Sequence, residues 1–429
     1  MMLAADQRPP QFQVIDQPKL KICLLGYRSN PYSGGQGIYL KFLSKALVER
    51  GHRVDVISGE PYPELDERVR LIKLPGLNLF EAENHVTALR PHHLTSYTDF
   101  IEWWSMLTGG FAEPYTFGRR LVDYFKRHQP DYDIVHDNQS LCYGTLQLQK
   151  MGVPLLTTIH HPITSDLRIA LQSAENWKMR LLIRRWHSFL RMQKKVVRQL
   201  KNLVTVSEAS RFDIATDFSV PEDTLKIVHN GIDTEVFRPI PDILREPYTI
   251  MATASADAPL KGLDYLIHAI AQLRNEIPDL KLNVLGKLKE DGDTAKLIKR
   301  LNIGDRITFH SGLTSEEVAE LYARATCAVV PSIYEGFGLP AGEAMACGVP
   351  IISTDGGALP EVVGDAGITV PTRDAGAIAS SIRVMMDDAD LRERLAGRGR
   401  KRILEKFSWA VAAEQMEKLY RKIIVEKVS

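Results

Sequence analysis

Cysteine is scarce in this chain, with four among 429 residues and no two in a C-x-x-C pair. Disulfide-stapled scaffolds and zinc modules built on paired cysteines are therefore excluded as the basis of the fold. Each cysteine lies among apolar or small residues, which is typical of a buried thiol. We expect reduced cysteines and a reducing environment. The four positions are Cys23, Cys142, Cys327 and Cys347.

Long apolar runs and a strong net charge are missing as well. No stretch approaches the roughly 18 consecutive apolar residues of a membrane-spanning helix. Residues 1–18 contain Asp, Arg and Pro where a signal peptide has its apolar core. Lys and Arg number 54 against 53 Asp and Glu, a net charge of +1 that gives no global attraction for nucleic acid. We therefore expect a cytoplasmic protein without a nucleic-acid partner, attached at most to the inner face of a membrane.

The composition is that of an ordinary globular protein, with 44% hydrophobic and 25% charged residues. In the first half, short apolar runs alternate with segments of helical spacing. A run that ends at Gly26 predicts a buried parallel strand, and a loop rich in Pro, Ser and Gly follows over 28–37. A helix is predicted from Ile38 to Arg50, where Gly51 ends it. Further strands are predicted at 53–58, 134–135, 155–159 and 203–206.

The same alternation restarts in the second half. Strands are predicted at 248–252, 281–285, 306–310, 327–330 and 350–353, and helices at 263–273, 315–325 and 340–347. The helix at Ser315 begins with Ser-x-x-Val, which predicts that it lacks a full capping box.

Two prolines in Arg238-Pro-Ile-Pro241 stiffen the chain between the halves. The repeated rhythm predicts an α/β protein with two Rossmann-like, doubly wound domains that face each other across an interdomain cleft. We assign 1–18 to an N-terminal tail, 19–240 to the first domain and 241–408 to the second.

Two regions depart from this rhythm. Residues 80–130 form a long insertion that contains Trp103 and Trp104. Residues 168–201 contain ten Lys or Arg against one acid, Glu175, with an apolar stripe at 182, 186, 189, 196 and 200. A basic helix that bears tryptophan suits an anionic membrane surface. The alternative is an ordinary surface helix whose stripe packs on its own sheet.

The segment from Pro331 to Pro350 carries the strongest chemical signal. A buried strand runs into a glycine-rich loop, and Pro340 suits the first turn of a helix. Free amides at the start of that helix, together with its dipole, favour a bound phosphate. Glu335 lies before this anion site and Glu343 lies two turns beyond it, so both are candidates to accept hydrogen bonds from sugar hydroxyls.

Glu335 and Glu343, with Gly-Phe-Gly-Leu-Pro between them, resemble the E-x7-E signature of the GT4 family of retaining glycosyltransferases. The resemblance covers nearly the whole chain from residue 19. Further segments agree in order and spacing: Tyr32-Ser-Gly-Gly-Gln-Gly-Ile38, Thr158-Ile-His160, Thr205-Val-Ser-Glu208, His229-Asn-Gly-Ile-Asp233 with Phe237-Arg-Pro239, Lys261-Gly262 and Phe407-Ser-Trp409.

The resemblance implies the GT-B fold, with a nucleotide diphosphate sugar as donor substrate bound mainly to the second domain. The acceptor, a glycan, a lipid-linked sugar or a small molecule, is implied to bind the first domain, onto which a last helix at 409–429 packs back. Transfer is implied to retain the anomeric configuration without a metal ion or other cofactor. The sequence likewise shows no His, Cys or Asp cluster with metal-ligand spacing.

Residue roles follow from the resemblance. Glu343 matches the glutamate that binds the ribose hydroxyls of the nucleotide. Glu335 matches the glutamate that contacts hydroxyls of the transferred sugar. Lys261 matches a lysine that neutralises the diphosphate leaving group. His160 matches a histidine near the reacting carbon. The alternative for His160 is a histidine that only packs at the end of a strand. The loop amides that hold sugar and diphosphate match Gly336, Phe337, Gly338 and Leu339.

Gly35 matches a glycine that lets the first loop approach the phosphates. One departure concerns the arginine that relatives place five or six residues before the lysine, because Ser255 and Ala256 stand there. A hydroxyl cannot form the bidentate hydrogen bonds of a guanidinium group. Three explanations are open: another cation substitutes for the arginine, Ser255 and nearby amides are sufficient to bind the diphosphate, or the activity is weaker. We favour a variation within the family.

Three other interpretations remain. A dehydrogenase needs G-x-G-x-x-G directly after the first strand, and that pattern is absent. A GT-B epimerase or phosphorylase shares the donor chemistry. A non-catalytic GT-B binding subunit has only the missing arginine in its favour.

Overall fold

Short apolar strands form two all-parallel sheets in the computed structural model, which describes residues 18–31, 35–81, 84, 88–89, 91–172, 174 and 176–428. Residues 1–17 of the predicted tail and the Tyr32-Ser-Gly part of the first loop lie outside the described residues. The four cysteines are buried free thiols, as expected.

The first sheet has seven strands in the order β3-β2-β1-β4-β5-β6-β7. Its central strands are buried along almost their whole length, as parallel strands covered on both faces require. The strands are β1 Lys21–Gly26, β2 Arg53–Ser58, β3 Arg70–Lys73, β4 Ile134–Asn138, β5 Leu155–Ile159, β6 Leu203–Thr205 and β7 Leu225–Ile227.

The helices of this first half connect successive strands. They are α1 Gly35–Glu49, α2 Tyr97–Leu107, α3 Glu113–His128, α4 Tyr143–Lys150, α5 Thr164–Gln172, α6 Trp177–Trp186, α7 Leu190–Val197 and α8 Glu208–Phe218. The insertion at 80–130 supplies α2 and α3, which Glu102 and Arg120 join through a 2.7 Å ion pair.

The second sheet has six strands in the order β10-β9-β8-β11-β12-β13. They are β8 Thr249–Thr253, β9 Lys281–Leu285, β10 Ile307–His310, β11 Cys327–Val330, β12 Ile351–Thr354 and β13 Ile368–Val370. The helices that follow β8 along the chain are α9 Leu263–Leu273, α10 Asp293–Leu301, α11 Ser315–Arg324, α12 Leu339–Ala346, α13 Leu359–Val363, α14 Ala375–Asp387, α15 Ala389–Lys406 and α16 Trp409–Val428. Both sheets have the strand order of a doubly wound fold, so the prediction of two Rossmann-like domains is confirmed.

The described residues divide into two units, one formed by those up to 206, 210–228 and from 412 to 428, and one by 207–209 and 229–411. The prolines predict the division at 240, whereas the structure has it at 228. Residues 229–240 belong to the second unit because Ile232 pairs with Ser408 in an isolated bridge and Arg400 donates to the Phe237 carbonyl at 3.0 Å.

The C-terminal helix α16 lies in the first unit from Ala412 onward. Its Tyr420 hydroxyl lies 2.6 Å from Nδ1 of His136 in β4. Its Glu417 accepts a hydrogen bond from Nε of Arg50 at 2.7 Å. These contacts tie the end of the chain to the first sheet.

The basic segment 168–201 is not one helix. Helix α6 ends at Trp186, a 3₁₀ turn covers His187–Phe189, and α7 follows. Val196 of the predicted stripe is fully buried, whereas Leu182 is 50% exposed. Packing on the domain's own core therefore describes α7 and not α6, which has no buried residue.

The start of α11 also differs from the sequence prediction. Thr314 is its N-cap, and its hydroxyl accepts a hydrogen bond from the Glu317 amide at 3.2 Å. The Glu317 carboxylate in turn accepts one from the Thr314 amide at 2.7 Å, which completes a capping box. The prediction was wrong because the cap lies one residue before Ser315.

Candidate functional site

The predicted donor residues of the second unit lie on loops that follow β8 and β11. These strands are neighbours at the centre of the sheet, where the strand order reverses. In doubly wound sheets, ligands bind outside the carboxyl ends of strands at such a reversal. The topology therefore places Lys261 and Glu335 at the expected edge of this sheet.

Glu335 and Lys261 form an ion pair. Nζ of Lys261 lies 2.7 Å from Oε1 of Glu335, and the Ser332 hydroxyl donates to the same oxygen at 2.8 Å. The Glu335 side chain is 11% exposed and that of Lys261 is 33% exposed. Among the described residues, nothing donates to Oε2 of Glu335, so this oxygen remains available to a hydroxyl group of a ligand.

Backbone contacts hold the two loops together. The Ile333 amide donates to the Leu260 carbonyl at 2.8 Å. Gly262 adopts φ +59°, and a Cβ at this position would lie 2.1 Å from the Pro331 carbonyl oxygen. Glycine is required here because the loops approach so closely. This packing explains why Lys261-Gly262 occurs as a unit.

Helix α12 begins at the end of the glycine-rich loop. Its N-cap, Gly338, has φ +100° and Pro340 occupies the first turn. Within the described part of the chain, the amides of Phe337, Gly338 and Leu339 donate no hydrogen bond. Amides at a helix N-terminus, together with the helix dipole, favour an anion.

The side chain of Phe337 and the carbonyl of Gly336 anchor the glycine-rich loop. Phe337 is buried, with its ring centroid 6.0 Å from that of Phe407 and 6.3 Å from that of His229. The Ser207 hydroxyl donates to the Gly336 carbonyl at 2.7 Å. Because these contacts use the side chain and a carbonyl oxygen, they leave the amide groups to a ligand.

Glu343 lies further along α12 and is half-buried. Burial raises the pKa of its carboxyl to about 7, and the negative charge of Asp233 adds to this effect. Among the described residues, none donates a hydrogen bond to the carboxylate. A half-buried acceptor without a partner suits the paired hydroxyls of a ribose.

Ser255 is exposed on the loop after β8, and no arginine accompanies it. The next loop, after β9, carries Lys287 and Lys289, both exposed. Gly286 at its start packs on this region, since a Cβ there would lie 2.4 Å from the Ala254 carbonyl oxygen. Two lysines therefore lie on a loop that packs beside the loop of Ser255.

In the first unit, His160 follows β5 and is half-buried. Its Nε2 lies 2.7 Å from Oδ1 of Asn138, the last residue of β4. Its amide donates to the side-chain carbonyl of Gln139 at 2.7 Å. Burial lowers the pKa of His160 to about 3, and the neighbouring His161 adds to this. The imidazole is therefore neutral at physiological pH.

Gly35 is the first residue of α1 and is exposed, and a Cβ there would meet open space. The close packing falls instead on Gly37, where a Cβ would lie 2.2 Å from the Asn30 carbonyl oxygen. Packing within the described residues therefore does not require glycine at position 35.

The sequence-predicted residues fall into two groups. Lys261, Glu335 and the 336–339 loop meet directly in the second unit, whereas His160 and Gly35 belong to the first. Sequence reasoning missed Ser332 and Asn138. Both are polar residues at or just after the carboxyl end of a buried strand, and that position is the signal that could have found them.

Two searches of the described residues gave negative results. No group of three or more His, Cys, Asp or Glu is placed to hold a metal ion. No helix within the described ranges is long and apolar enough to cross a membrane.

Two family models match the chain in succession. The model described as Glycosyltransferase Family 4 matches residues 33–236, and the model described as Glycosyl transferases group 1 matches residues 239–402.

Individual proteins match over almost the whole chain. The chain is 45% identical over 409 residues to the MMP alpha-(1->4)-mannosyltransferase of Mycolicibacterium hassiacum, which covers 94% of this chain and 98% of that protein. It is 26% identical to the D-inositol 3-phosphate glycosyltransferase of Streptomyces bingchenggensis, over 93% of this chain and 89% of that protein.

Solved structures agree in fold. The sucrose-phosphate synthase of Thermosynechococcus elongatus superposes with a TM-score of 0.69 at 24% identity, over 95% of this chain and 100% of that chain.

Proposed function

Because this chain belongs to the glycosyl transferases group 1 family, we propose that it transfers a mannosyl group from a nucleoside diphosphate donor to a hydroxyl group of a glycan. The choice of mannose rests on the 45% identical relative, which is named as an α-(1→4)-mannosyltransferase. The acceptor carries a sugar at its reacting end, either free in a glycan or linked to a lipid.

One observation carries the donor site: the Lys261–Glu335 ion pair lies on loops that meet beside the free amides of α12. A diphosphate placed at these amides is a dianion, and Lys261 supplies the positive charge that it needs. Oε2 of Glu335 accepts from a hydroxyl of the transferred sugar, and Glu343 accepts from the ribose. The donor is then held at its sugar, its diphosphate and its nucleoside.

The proposed reaction retains the anomeric configuration. The bond between the anomeric carbon and the diphosphate oxygen breaks, and its electron pair leaves with the diphosphate. The acceptor oxygen forms the new bond on the same face of the sugar and gives its proton to the leaving phosphate. Lys261 stabilises the negative charge that develops on the leaving group. The α linkage in the relative's name agrees with retention from an α-linked donor.

We propose that transfer needs no metal ion, because Lys261 and the amides of Phe337, Gly338 and Leu339 already supply positive charge to the diphosphate. The experiment is a transfer assay with GDP-, UDP- and ADP-mannose and an oligomannoside acceptor, run with and without EDTA. Proton NMR of the product reads the anomeric configuration. We expect an α-linked product and unchanged rates in EDTA. A β-linked product, or activity lost in EDTA and restored by Mg²⁺, contradicts this mechanism.

We also propose that the protein works in the cytoplasm at an anionic membrane surface. Helices α2 and α6 expose Trp104 at 55%, Trp177 at 70% and Leu181 at 61%. Arg185 of α6 donates to the Thr108 hydroxyl just after α2 at 2.7 Å, so the two helices form one surface. Exposed tryptophan and leucine next to basic residues suit a lipid interface. A symmetric contact with a second copy would instead bring like charges together.

Flotation with lipid vesicles tests this surface. We expect binding to vesicles that contain phosphatidylglycerol, weaker binding at high salt, and none to pure phosphatidylcholine. Trp177→Ala should weaken binding, while Leu244→Ala, at a residue 85% exposed in the other unit, should not. Equal binding to both vesicle types, or self-association that Trp177→Ala abolishes, overturns the proposal.

A further inference from the structure

The orientation of the Asn138 amide is fixed by its two partners. Nδ2 of Asn138 donates to the Gln36 carbonyl at 3.0 Å. Because a backbone carbonyl accepts and never donates, the amide nitrogen must face Gln36 and the amide oxygen must face His160. That oxygen lies 2.7 Å from Nε2 of His160 and can only accept. The proton of the imidazole must therefore lie on Nε2.

The neutral ring then carries a lone pair on Nδ1. Among the described residues, Nδ1 has no hydrogen-bond partner. The ring is held in place by Tyr39, whose ring packs edge-on against it with a centroid distance of 4.7 Å. The backbone of His160 is held by Gln139, which has a left-handed φ of +56°. A strained residue at a strand end is a feature of functional sites.

A buried polar network surrounds this arrangement. Tyr39 also shares a hydrogen bond of 3.3 Å with the Thr158 hydroxyl, which lies 2.6 Å from Nε2 of His136. Burial lowers the pKa of His136 to about 3, and the neighbouring His160 adds to this effect. Asp137, on the same strand as Asn138, holds its proton more tightly than an ordinary aspartate, since burial raises its pKa to about 6.

Two further titratable groups lie beside the ring, His161 on its exposed side and the buried Tyr39. His161 is half exposed and lies 3.7 Å from Asp166. Burial raises the pKa of Tyr39, so this phenol stays neutral. Around His160, the described groups therefore give no fixed charge in direct contact with the imidazole.

We propose that Asn138 is a positioning residue that holds His160 as its Nε2–H tautomer, so that Nδ1 accepts a hydrogen bond from a hydroxyl group of the sugar substrate. This inference rests on the proposed function for its substrate. A neutral ring that offers a lone pair is compatible with the positive charge that develops at a reacting anomeric carbon, whereas an imidazolium opposes it.

Asn138→Asp tests the role of Asn138, because a carboxylate still accepts from Nε2–H and also stabilises the protonated ring. The matched control is Asn202→Asp, since Asn202 donates to the Leu155 carbonyl at 3.0 Å at the opposite end of β5. Both variants lose one Asn–carbonyl hydrogen bond, and only the first faces the imidazole. The measurements are kcat and KM from pH 5 to 8, and ¹⁵N NMR of protein labelled at histidine.

We expect the kcat of Asn138→Asp, relative to the unchanged protein, to fall by about tenfold or more between pH 8 and pH 5 as His160 becomes protonated. The same ratio for Asn202→Asp should stay flat. Dividing by the unchanged protein cancels the titration of groups whose pKa the substitution does not shift, such as Glu343 in the other unit. A flat ratio for Asn138→Asp overturns the proposal.

NMR separates this inference from the proposed function. The unchanged protein should show the His160 signals of the neutral Nε2–H tautomer throughout, and Asn138→Ala should show a mixture of tautomers. A pure Nε2–H tautomer in Asn138→Ala, or an Nδ1–H tautomer in the unchanged protein, contradicts the role of Asn138. If the unchanged protein shows the expected tautomer and transfers no mannose, the proposed substrate is wrong while the positioning by Asn138 stands.

Discussion

The ionised form of Glu343 suits the proposed binding of the donor but lowers the free energy of unfolding. Its raised pKa of about 7 means that the folded protein holds this proton more tightly than the unfolded chain does, whose ordinary glutamate pKa is 4.5. The contribution of Glu343 to the free energy of unfolding is therefore fully present below pH 4.5 and is lost as the pH rises through 7. In the proposed donor site, an ionised carboxylate is retained at this cost because it accepts hydrogen bonds from the ribose hydroxyls.

Glu343→Gln should raise the free energy of unfolding at pH 8 by up to about 3 kcal/mol and change it little at pH 5. Nucleotide binding should weaken by about tenfold or more, because an amide accepts hydroxyl hydrogen bonds less strongly than a carboxylate. Denaturation at both pH values and titration with nucleotide measure the two effects. Glu290→Gln, at an exposed position, is the control. Identical pH profiles for Glu343→Gln and the unchanged protein would count against the assignment.

Lys261 and Glu335 should each be essential for transfer. Lys261→Ala removes the cation of the leaving group, and Glu335→Ala removes the acceptor for the sugar, so we expect kcat to fall by about 100-fold or more in each. Circular dichroism should show an intact fold. Lys296→Ala, at a side chain 69% exposed on α10, should leave transfer unchanged. Turnover like that of the unchanged protein in both site variants disproves the site.

Glu335 and Glu343 could be proposed from sequence because they are spaced along one loop and helix, and Lys261 because the resemblance matches the short local motif Lys261-Gly262. Asn138 could not be identified in the same way. Its proposed role depends on Gln36 and His160, which are distant along the chain. The register of β4 beside β5 brings His160 close to Asn138, and Gln36 approaches from α1.

Helix α12 depends on Gly338 for its start. At φ +100° a side chain is strained, and a Cβ would lie 2.9 Å from Cδ2 of Leu359. Gly338→Ala should lower the free energy of unfolding by about 1–3 kcal/mol and weaken nucleotide binding, because the loop amides move.

The matched control is Gly397→Ala in α15, where a Cβ meets no atom within 4 Å. Alanine is favoured over glycine in a helix interior, so this variant should gain up to about 1 kcal/mol. Chemical denaturation measures both variants. Equal stability of Gly338→Ala and the unchanged protein contradicts the strained cap.

At the scale of elements, buried strands could be predicted closely from sequence. Strands β2, β5, β9 and β11 have the predicted bounds because each is a short apolar run between turn signals. The strands β3, β7 and β13 were missed. They lie at sheet edges or have three or four residues, and β3 has no buried residue, so their apolar pattern is weak.

At the scale of the molecule, α16 returns to the first unit and is tied there by Glu417. Burial alone raises the pKa of Glu417, but hydrogen bonds from Arg421 and Arg50 outweigh it and lower the pKa to about 2. This carboxylate therefore stabilises the folded protein above the ordinary glutamate pKa of 4.5, and the contribution is lost as the pH falls through 2.

Glu417→Gln should lower the free energy of unfolding at pH 7 by about 1–3 kcal/mol, and the difference from the unchanged protein should shrink below pH 4. Glu426→Gln, further along α16 at a side chain 57% exposed, should have little effect. Denaturation curves from pH 3 to 7 measure both. A difference that stays constant down to pH 3 contradicts the role assigned to this cluster.

The two-sheet architecture could be predicted because the strand and helix rhythm occurs twice in the sequence. The point where the chain changes units could not. The prolines near 240 are a local signal, whereas the division at 228 is set by long-range contacts such as the one between Ile232 and Ser408.

The central claim is that the start of α12 holds the diphosphate of a nucleotide donor. Hydrogen–deuterium exchange tests it most directly, in the presence and absence of saturating nucleoside diphosphate. We predict slower exchange at the amides of Phe337, Gly338 and Leu339, and less slowing in Lys261→Ala. Nucleotide that binds with no change in exchange over these residues would contradict the claim.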